Sequence, residues 1–153
     1  MIIFGIDPGL NKTGVGVIEV AGKNLRYVHH SVIKTDSKTP LVYRLKVICN
    51  EVVMLVGEFK PSYAAIEDIF YSVNIKSAIL LGQTRGSIMA TLLNQKVEVL
   101  EYTALQIKKA VVGYGKADKE QVKKMVEILL KIDLKKSLSD ASDALACGIC
   151  LGL

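Results

Sequence analysis

The sequence predicts an α/β fold with a five-stranded mixed sheet, three antiparallel strands then two parallel ones, flanked by helices. Three observations carry this. Three β-rich segments joined by short connections fill the first 33 residues. The apolar period then lengthens from two residues to three and four. Beyond that point strand-like and helix-like stretches alternate.

Taken in order, residues 2–6 are an apolar run that stops at Asp7-Pro8-Gly9, the pattern of a buried strand entering a turn. Residues 14–20 and 25–33 read as the second and third strands, with Ala21-Gly22-Lys23-Asn24 between them as a hairpin turn. Connections this short join antiparallel neighbours. Pro40 fits the first turn of a helix, with Thr39 as its cap. Leu41, Leu45, Ile48, Val52, Leu55 and Phe59 then recur at helical spacing until Lys60-Pro61, the stripe of a helix laid on a sheet. A fourth strand is expected over 63–66, a helix over 74–93 and a fifth strand over 97–100. Thr103 with Gln106, and Asp118 with Gln121, have capping-box spacing and start two more helices. A last helix begins near Ser139 and runs to Leu153.

The 153 residues suffice for one continuous core, and no repeat, linker or low-complexity stretch divides them, so a single domain over 1–153 is expected. The apolar start meets Asp7 with no basic residue before it, unlike a secretory signal. The longest strongly apolar uncharged stretch, 144–153, is far short of the roughly 20 residues that span a bilayer. It reads as a buried helix, and no membrane role is expected. Three cysteines, an odd number, point to a reducing cytoplasm rather than to disulfides. Cys147 and Cys150 have the gap of a metal pair, but without a second pair they read as core residues. The net charge of +5 permits nucleic-acid binding without requiring it.

The acids are more telling. Asp7 ends the first strand, Glu67 ends the fourth, and Asp140 and Asp143 open the last helix three residues apart. An i, i+3 pair shares one helix face, about 5–6 Å apart. Strand-end acids with such a pair are what a magnesium site needs, since that ion takes hard oxygen ligands. Two like charges 4 Å apart repel by about 4 kcal/mol at an effective dielectric of 20, so four together call for a cation. Taken singly, Asp7 also reads as a turn residue and Asp140 as favourable charge in a first helical turn. Glu67, after Ala64-Ala65-Ile66, has no turn residue beside it.

Five blocks resemble the RuvC family of Holliday junction resolvases. Gly5-Ile6-Asp7-Pro8-Gly9 with Thr13-Gly14-Val15-Gly16 is similar to the family's opening motif. Ala65-Ile66-Glu67-Asp68-Ile69-Phe70, then Asn74, resembles its second acidic motif. Leu81-Gly82-Gln83-Thr84-Arg85-Gly86 is similar to its central helix. Val111-Val112-Gly113-Tyr114-Gly115-Lys116-Ala117-Asp118-Lys119 resembles its basic loop and the helix after it. Asp140-Ala141-Ser142-Asp143-Ala144-Leu145-Ala146 resembles its closing motif. The blocks stand in family order over nearly the whole chain. One departure follows the closing motif: many members have a Thr-His pair there, and this chain has Cys147-Gly148-Ile149-Cys150-Leu151-Gly152-Leu153.

The resemblance implies a ribonuclease-H-like fold and a homodimeric crossover junction endodeoxyribonuclease. Such an enzyme makes paired symmetric nicks in four-way branched DNA, in recombination and repair. Its catalytic and metal-binding carboxylates would be Asp7, Glu67, Asp140 and Asp143. It implies magnesium, with manganese able to substitute, and two ions per site that hold the phosphate and activate water. The RuvA–RuvB branch-migration complex would be its partner. Lysines matching Lys108 and Lys119 would bind DNA, with Lys116 in the same glycine-flanked basic loop. Phe70 would stack on an unpaired base, a contact worth roughly 1–3 kcal/mol, with Tyr71 assisting. Arg85 would lie on the helix of the dimer interface as a further DNA-contact candidate. His29 and His30, adjacent on one strand, face opposite ways and read as structural.

Two other classes share some of these features. A sugar-kinase or actin-like ATPase also joins a strand to a hairpin through Asp-x-Gly, but it needs a second domain and phosphate loop that 153 residues do not supply. A catalytically inactive branched-DNA-binding module would gain nothing from four acids beside DNA.

Overall fold

The structure is a computed structural model that describes residues 1–68 and 74–153. The elements are β1 (Ile2–Asp7), β2 (Lys12–Ala21), β3 (Asn24–Lys34), α1 (Leu41–Phe59), β4 (Tyr63–Glu67), α2 (Ile75–Asn94), β5 (Glu98–Tyr102), α3 (Ala104–Val112), α4 (Lys119–Leu130) and α5 (Ser139–Gly152). They form one sheet in the order β3-β2-β1-β4-β5. The first three strands pair antiparallel, while β4 and β5 join parallel to β1 and to each other. That is the mixed sheet the sequence predicts.

Alternation along the central strands separates two apolar layers. Phe4, Ile6, Val15, Val17, Ala64 and Ile66 pack against Ile48, Val52 and Val56 of α1 and Ile88 and Leu92 of α2. On the other face Ile3, Ile18 and Ala65 meet Ile107 of α3, Val126 of α4 and Leu145 and Ile149 of α5.

The seat of α5 depends on glycine. A Cβ on Gly5 would lie 1.9 Å from the Ala144 carbonyl oxygen, and one on Gly14 would lie 2.0 Å from that of Asp140. With hydrogen in those places the helix rests directly on β1 and β2, at a height any other residue would forbid. The acidic first turn of α5 is thereby set down beside the end of β1.

Several boundaries differ from expectation by one or two residues, and two of them have a visible cause. Thr39 is not the cap of α1: Pro40 occupies that position without a side-chain bond. The Thr39 amide is used in a turn, donating to the Asp36 carbonyl at 3.0 Å. The fifth strand starts at Glu98 rather than Val97 and continues to Tyr102. The Val97 amide still closes the end of α2, donating to Leu92 at 3.0 Å, so pairing with β4 begins one residue later.

The adjacent histidines diverge as expected. His29 stacks on Phe59 with ring centroids 5.1 Å apart, whereas His30 lies 3.0 Å from the Ser137 hydroxyl and 3.1 Å from that of Tyr27. Tyr27 and His30 would face opposite ways in a regular strand. A register shift between Val17 and Ile18 of β2, opposite this segment, brings them to one side.

Candidate active site

Ile6 of β1 lies opposite Ile66 of β4 in a parallel pair. The next residues, Asp7 and Glu67, therefore finish their strands side by side. Gly5 and Ala65, two residues earlier, face the α5 layer, so alternation turns both acids toward that layer. The first turns of α5 bring Asp140 and Asp143 to the same end. Asp7, Glu67 and Asp143 line one open pocket of about 360 Å³, together with Pro8, Asp68, Leu81, Ala104, Ile107, Lys108, Lys119, Val122 and Ala146. Asp140 is not in that lining, but it is near enough to act on Asp7.

The electrostatics record this crowding. The Asp7 carboxyl is pushed up to about 7, first by burial and then by the charges of Glu67, Asp143 and Asp140, with Lys119 opposing. Burial and Asp143 also raise Glu67, while Lys119 and Lys108 pull it down. Lys119 opens α4, where Asp118 and Gln121 form the expected capping box. Its ammonium donates to Asp143 Oδ2 at 3.1 Å, and that bond is the main cause holding its pKa above the usual lysine value.

The donor chemistry suits a hard divalent cation: carboxylates supply the site's acidic groups, with no imidazole in the pocket lining. The rise at Asp7 is the strain that a cation would relieve. The oxygens are not gathered around one point, however. Among the described residues no three Asp, Glu, His or Cys side chains stand close enough to share an ion. Lys119, rather than a third carboxylate, approaches Asp143.

The sequence profile of RuvC, crossover junction endodeoxyribonuclease RuvC, matches residues 3–151. The chain belongs to the RuvC family. A curated RuvC relative from Ralstonia pickettii is 48% identical over 150 residues, covering 98% of this chain and 82% of its own length. One from Azoarcus sp. is 48% identical over 149 residues, 97% of this chain and 80% of its own. The chain is similar to the RuvC structure of Thermus thermophilus at a TM-score of 0.89 and 32% identity, covering 98% and 92% of the two chains. The same bacterium's RuvC in complex with Holliday junction substrate matches at 0.92 and 31%, with the same coverage. A yeast mitochondrial Holliday junction resolvase shares the fold at 0.70 and 12% identity, over 98% of this chain and 78% of that one.

Among the remaining expected site residues, Lys108 sits on α3 in the pocket lining. Lys116 is exposed in the loop between α3 and α4, outside that lining. Phe70 and Tyr71 lie outside the described residues. Arg85, the last of these candidates, is held by partners within the protein. Its side chain is only 11% exposed and is turned inward, with Nε donating to the Glu67 carbonyl at 2.9 Å and the terminal nitrogens paired with Asp68 and Glu101. Asp68 and Glu101 were absent from the sequence-derived site. No local pattern marks them, because their common partner is on another element.

Proposed function

We propose that this chain is a crossover junction endonuclease whose catalytic and metal-holding groups are Asp7, Glu67, Asp140 and Asp143. The carrying observation is the meeting of acids from three separated segments at one pocket, with the Asp7 carboxyl forced up to about 7. Divalent ions, magnesium with manganese as a substitute and two per site, supply the charge that activates water and stabilises the leaving oxygen. The four carboxylates hold them. Asp7 and Glu67 stand on rigid strand ends, while Asp140 and Asp143 ride on a helix whose height is set by Gly5 and Gly14. On the apolar side, Leu81, Ile107 and Val122 keep water from one wall of the pocket, which strengthens the charge interactions inside it.

Lys119 then has two states. Without the ions it pairs with Asp143; with them it is released to a backbone phosphate. Lys108 and Lys116 add phosphate contacts that position the strand, and Phe70, assisted by Tyr71, stacks on an unpaired base. The substrate is four-way branched DNA, cut by paired symmetric nicks in recombination and repair.

The 153 residues act as one nuclease domain and pair as a homodimer through α2. Ile75 and Ile79 are 78% and 57% exposed, and a Cβ added at Gly82 or Gly86 would meet nothing within 4 Å. These four positions follow helical spacing along one open face. The RuvA–RuvB branch-migration complex is the expected partner and the cytoplasm the expected compartment. No helix among the described residues is long and apolar enough to cross a membrane.

The test is a mobile synthetic four-way junction incubated with magnesium, with the nicks mapped strand by strand. Symmetric nicks on opposing strands are expected, and Asp7→Asn should abolish them while leaving junction binding intact. Cleavage that survives in Asp7→Asn would remove Asp7 from the chemistry.

A further inference from the structure

Arg85 extends from α2 to the open end of the sheet and ties three elements together. Its Nε donates to the main-chain carbonyl of Glu67 at 2.9 Å. One terminal nitrogen stands 3.3 Å from an Asp68 carboxylate oxygen and the other binds the Glu101 carboxylate. Glu101 lies on β5 opposite Ile66. The Asp68 amide donates to the Tyr102 carbonyl at 2.8 Å, one step beyond the last strand pair. A rigid, permanently charged plane with its donors in a fixed fork suits this three-way arrangement, and a lysine ammonium does not reproduce it.

We propose that Arg85 is a positioning residue for the Glu67 carboxylate, acting from behind through the Glu67 main chain and through Asp68. Two effects follow from the contacts. The bond to the Glu67 carbonyl fixes the end of β4, and with it the direction in which the Glu67 side chain enters the pocket. The pairing with Asp68 occupies an acid that lines the same pocket, so that it does not draw the cation away from Glu67. Glu101, the third acid at this end of the sheet, is neutralised by the same group. The inference rests on Glu67 as a metal-holding residue. It places Arg85 outside the DNA contacts, because the guanidinium is covered and already engaged in three directions.

Arg85→Lys keeps the charge and loses the fork. Support residues of this kind change metal affinity by about 10-fold or more, so the manganese concentration giving half of the thermal stabilisation of DNA-free protein should rise about 10-fold. The metal midpoint for junction cleavage should move with it. Junction binding in chelator should stay within about twofold, since no phosphate contact is lost. In case the single variant is too unstable to read, Arg85→Gln with Glu101→Gln removes one of the two stranded carboxylate charges, leaves Asp68 free in the pocket and should show the same manganese shift. An unmoved midpoint in both variants overturns the inference. So does a loss of junction binding in chelator with the midpoint unchanged, the signature of a phosphate contact. Thermal stabilisation by manganese is read without cleavage. Failure of the nuclease reading therefore shows separately, as junctions left uncut by the unaltered protein.

Discussion

Removing the Asp7 charge from DNA-free, divalent-free protein should stabilise the fold. The carboxyl rises from 3.8 to about 7 on folding, a change of about 3 pH units, and each unit is worth about 1.4 kcal/mol, for a ceiling of about 4 kcal/mol. The unfolded chain releases this proton near pH 4, whereas the folded chain keeps it until about 7. Between those values the native state binds more protons, so stability falls as pH rises, and the full penalty is present above pH 7. Solvent reaching the pocket mouth and movement of Lys119 reduce the ceiling to about 2 kcal/mol. Asp7→Asn removes a charge that has no hydrogen-bond partner among the described residues, so the variant should recover most of this amount. At 2–4 °C per kcal/mol for a chain of this size, its Tm should exceed that of the unaltered protein by about 4–8 °C at pH 8 in chelator. The gap should narrow as pH falls below 7 and close near pH 4, where the unfolded chain also holds this proton. It should close or reverse on adding magnesium, which stabilises only the protein that retains the carboxylate. Thermal unfolding at these three conditions measures it. A variant less stable than the unaltered protein at pH 8, with a difference indifferent to pH and magnesium, would refute the crowded-carboxylate argument and leave Asp7 as a turn residue.

Asp140→Asn should shift the pH dependence of stability toward lower pH without abolishing it, because Asp140 is the last-named of three carboxylates raising Asp7; an unchanged profile would separate the two acids. Lys119→Ala should lower the magnitude of the log–log salt slope for junction binding by about one unit, and an unchanged slope would confine Lys119 to its pairing with Asp143. Gly14→Ala would drive a Cβ to 2.0 Å from the Asp140 carbonyl oxygen, so α5 must lift. A loss of about 1–3 kcal/mol is expected, with cleavage reduced more than junction binding. Unchanged unfolding and cleavage would show that the helix can move without consequence.

The elements were largely legible in the sequence because each carries its own period. Ile48, Val52 and Val56 must face the sheet once α1 forms, and Thr103–Gln106 and Asp118–Gln121 close capping boxes whatever lies beyond them. Thr39 misled because cap preference is local, whereas Pro40 itself stays extended and its carbonyl accepts the first helical bond, from the Arg44 amide at 3.2 Å. Val97 misled for a similar reason, since its amide serves the end of α2 rather than the sheet.

The site was legible in kind but not in arrangement. Asp7, Glu67, Asp140 and Asp143 stand out at strand ends and in one helical turn, yet nothing local states that Asp7 and Glu67 become lateral neighbours. That follows from the parallel β1–β4 pairing, which α1 makes possible by carrying the chain back from the end of β3 to the start of β4. The glycines hold the missing information in usable form. Gly5 shares a face with Asp7, and Gly14 and Gly16 share one on β2, so the sheet has a bare track where a helix can approach closely. Asp140-Ala141-Ser142-Asp143-Ala144 has side chains small enough to descend onto it. Arg85 shows the opposite limit. Its partners Glu67 and Glu101 are 18 and 16 residues away on two different strands, and a motif that presents it between glycines suggests an exposed arm. Only the folded sheet end shows an arginine turned inward, with Nε on the Glu67 carbonyl and its terminal nitrogens on Asp68 and Glu101.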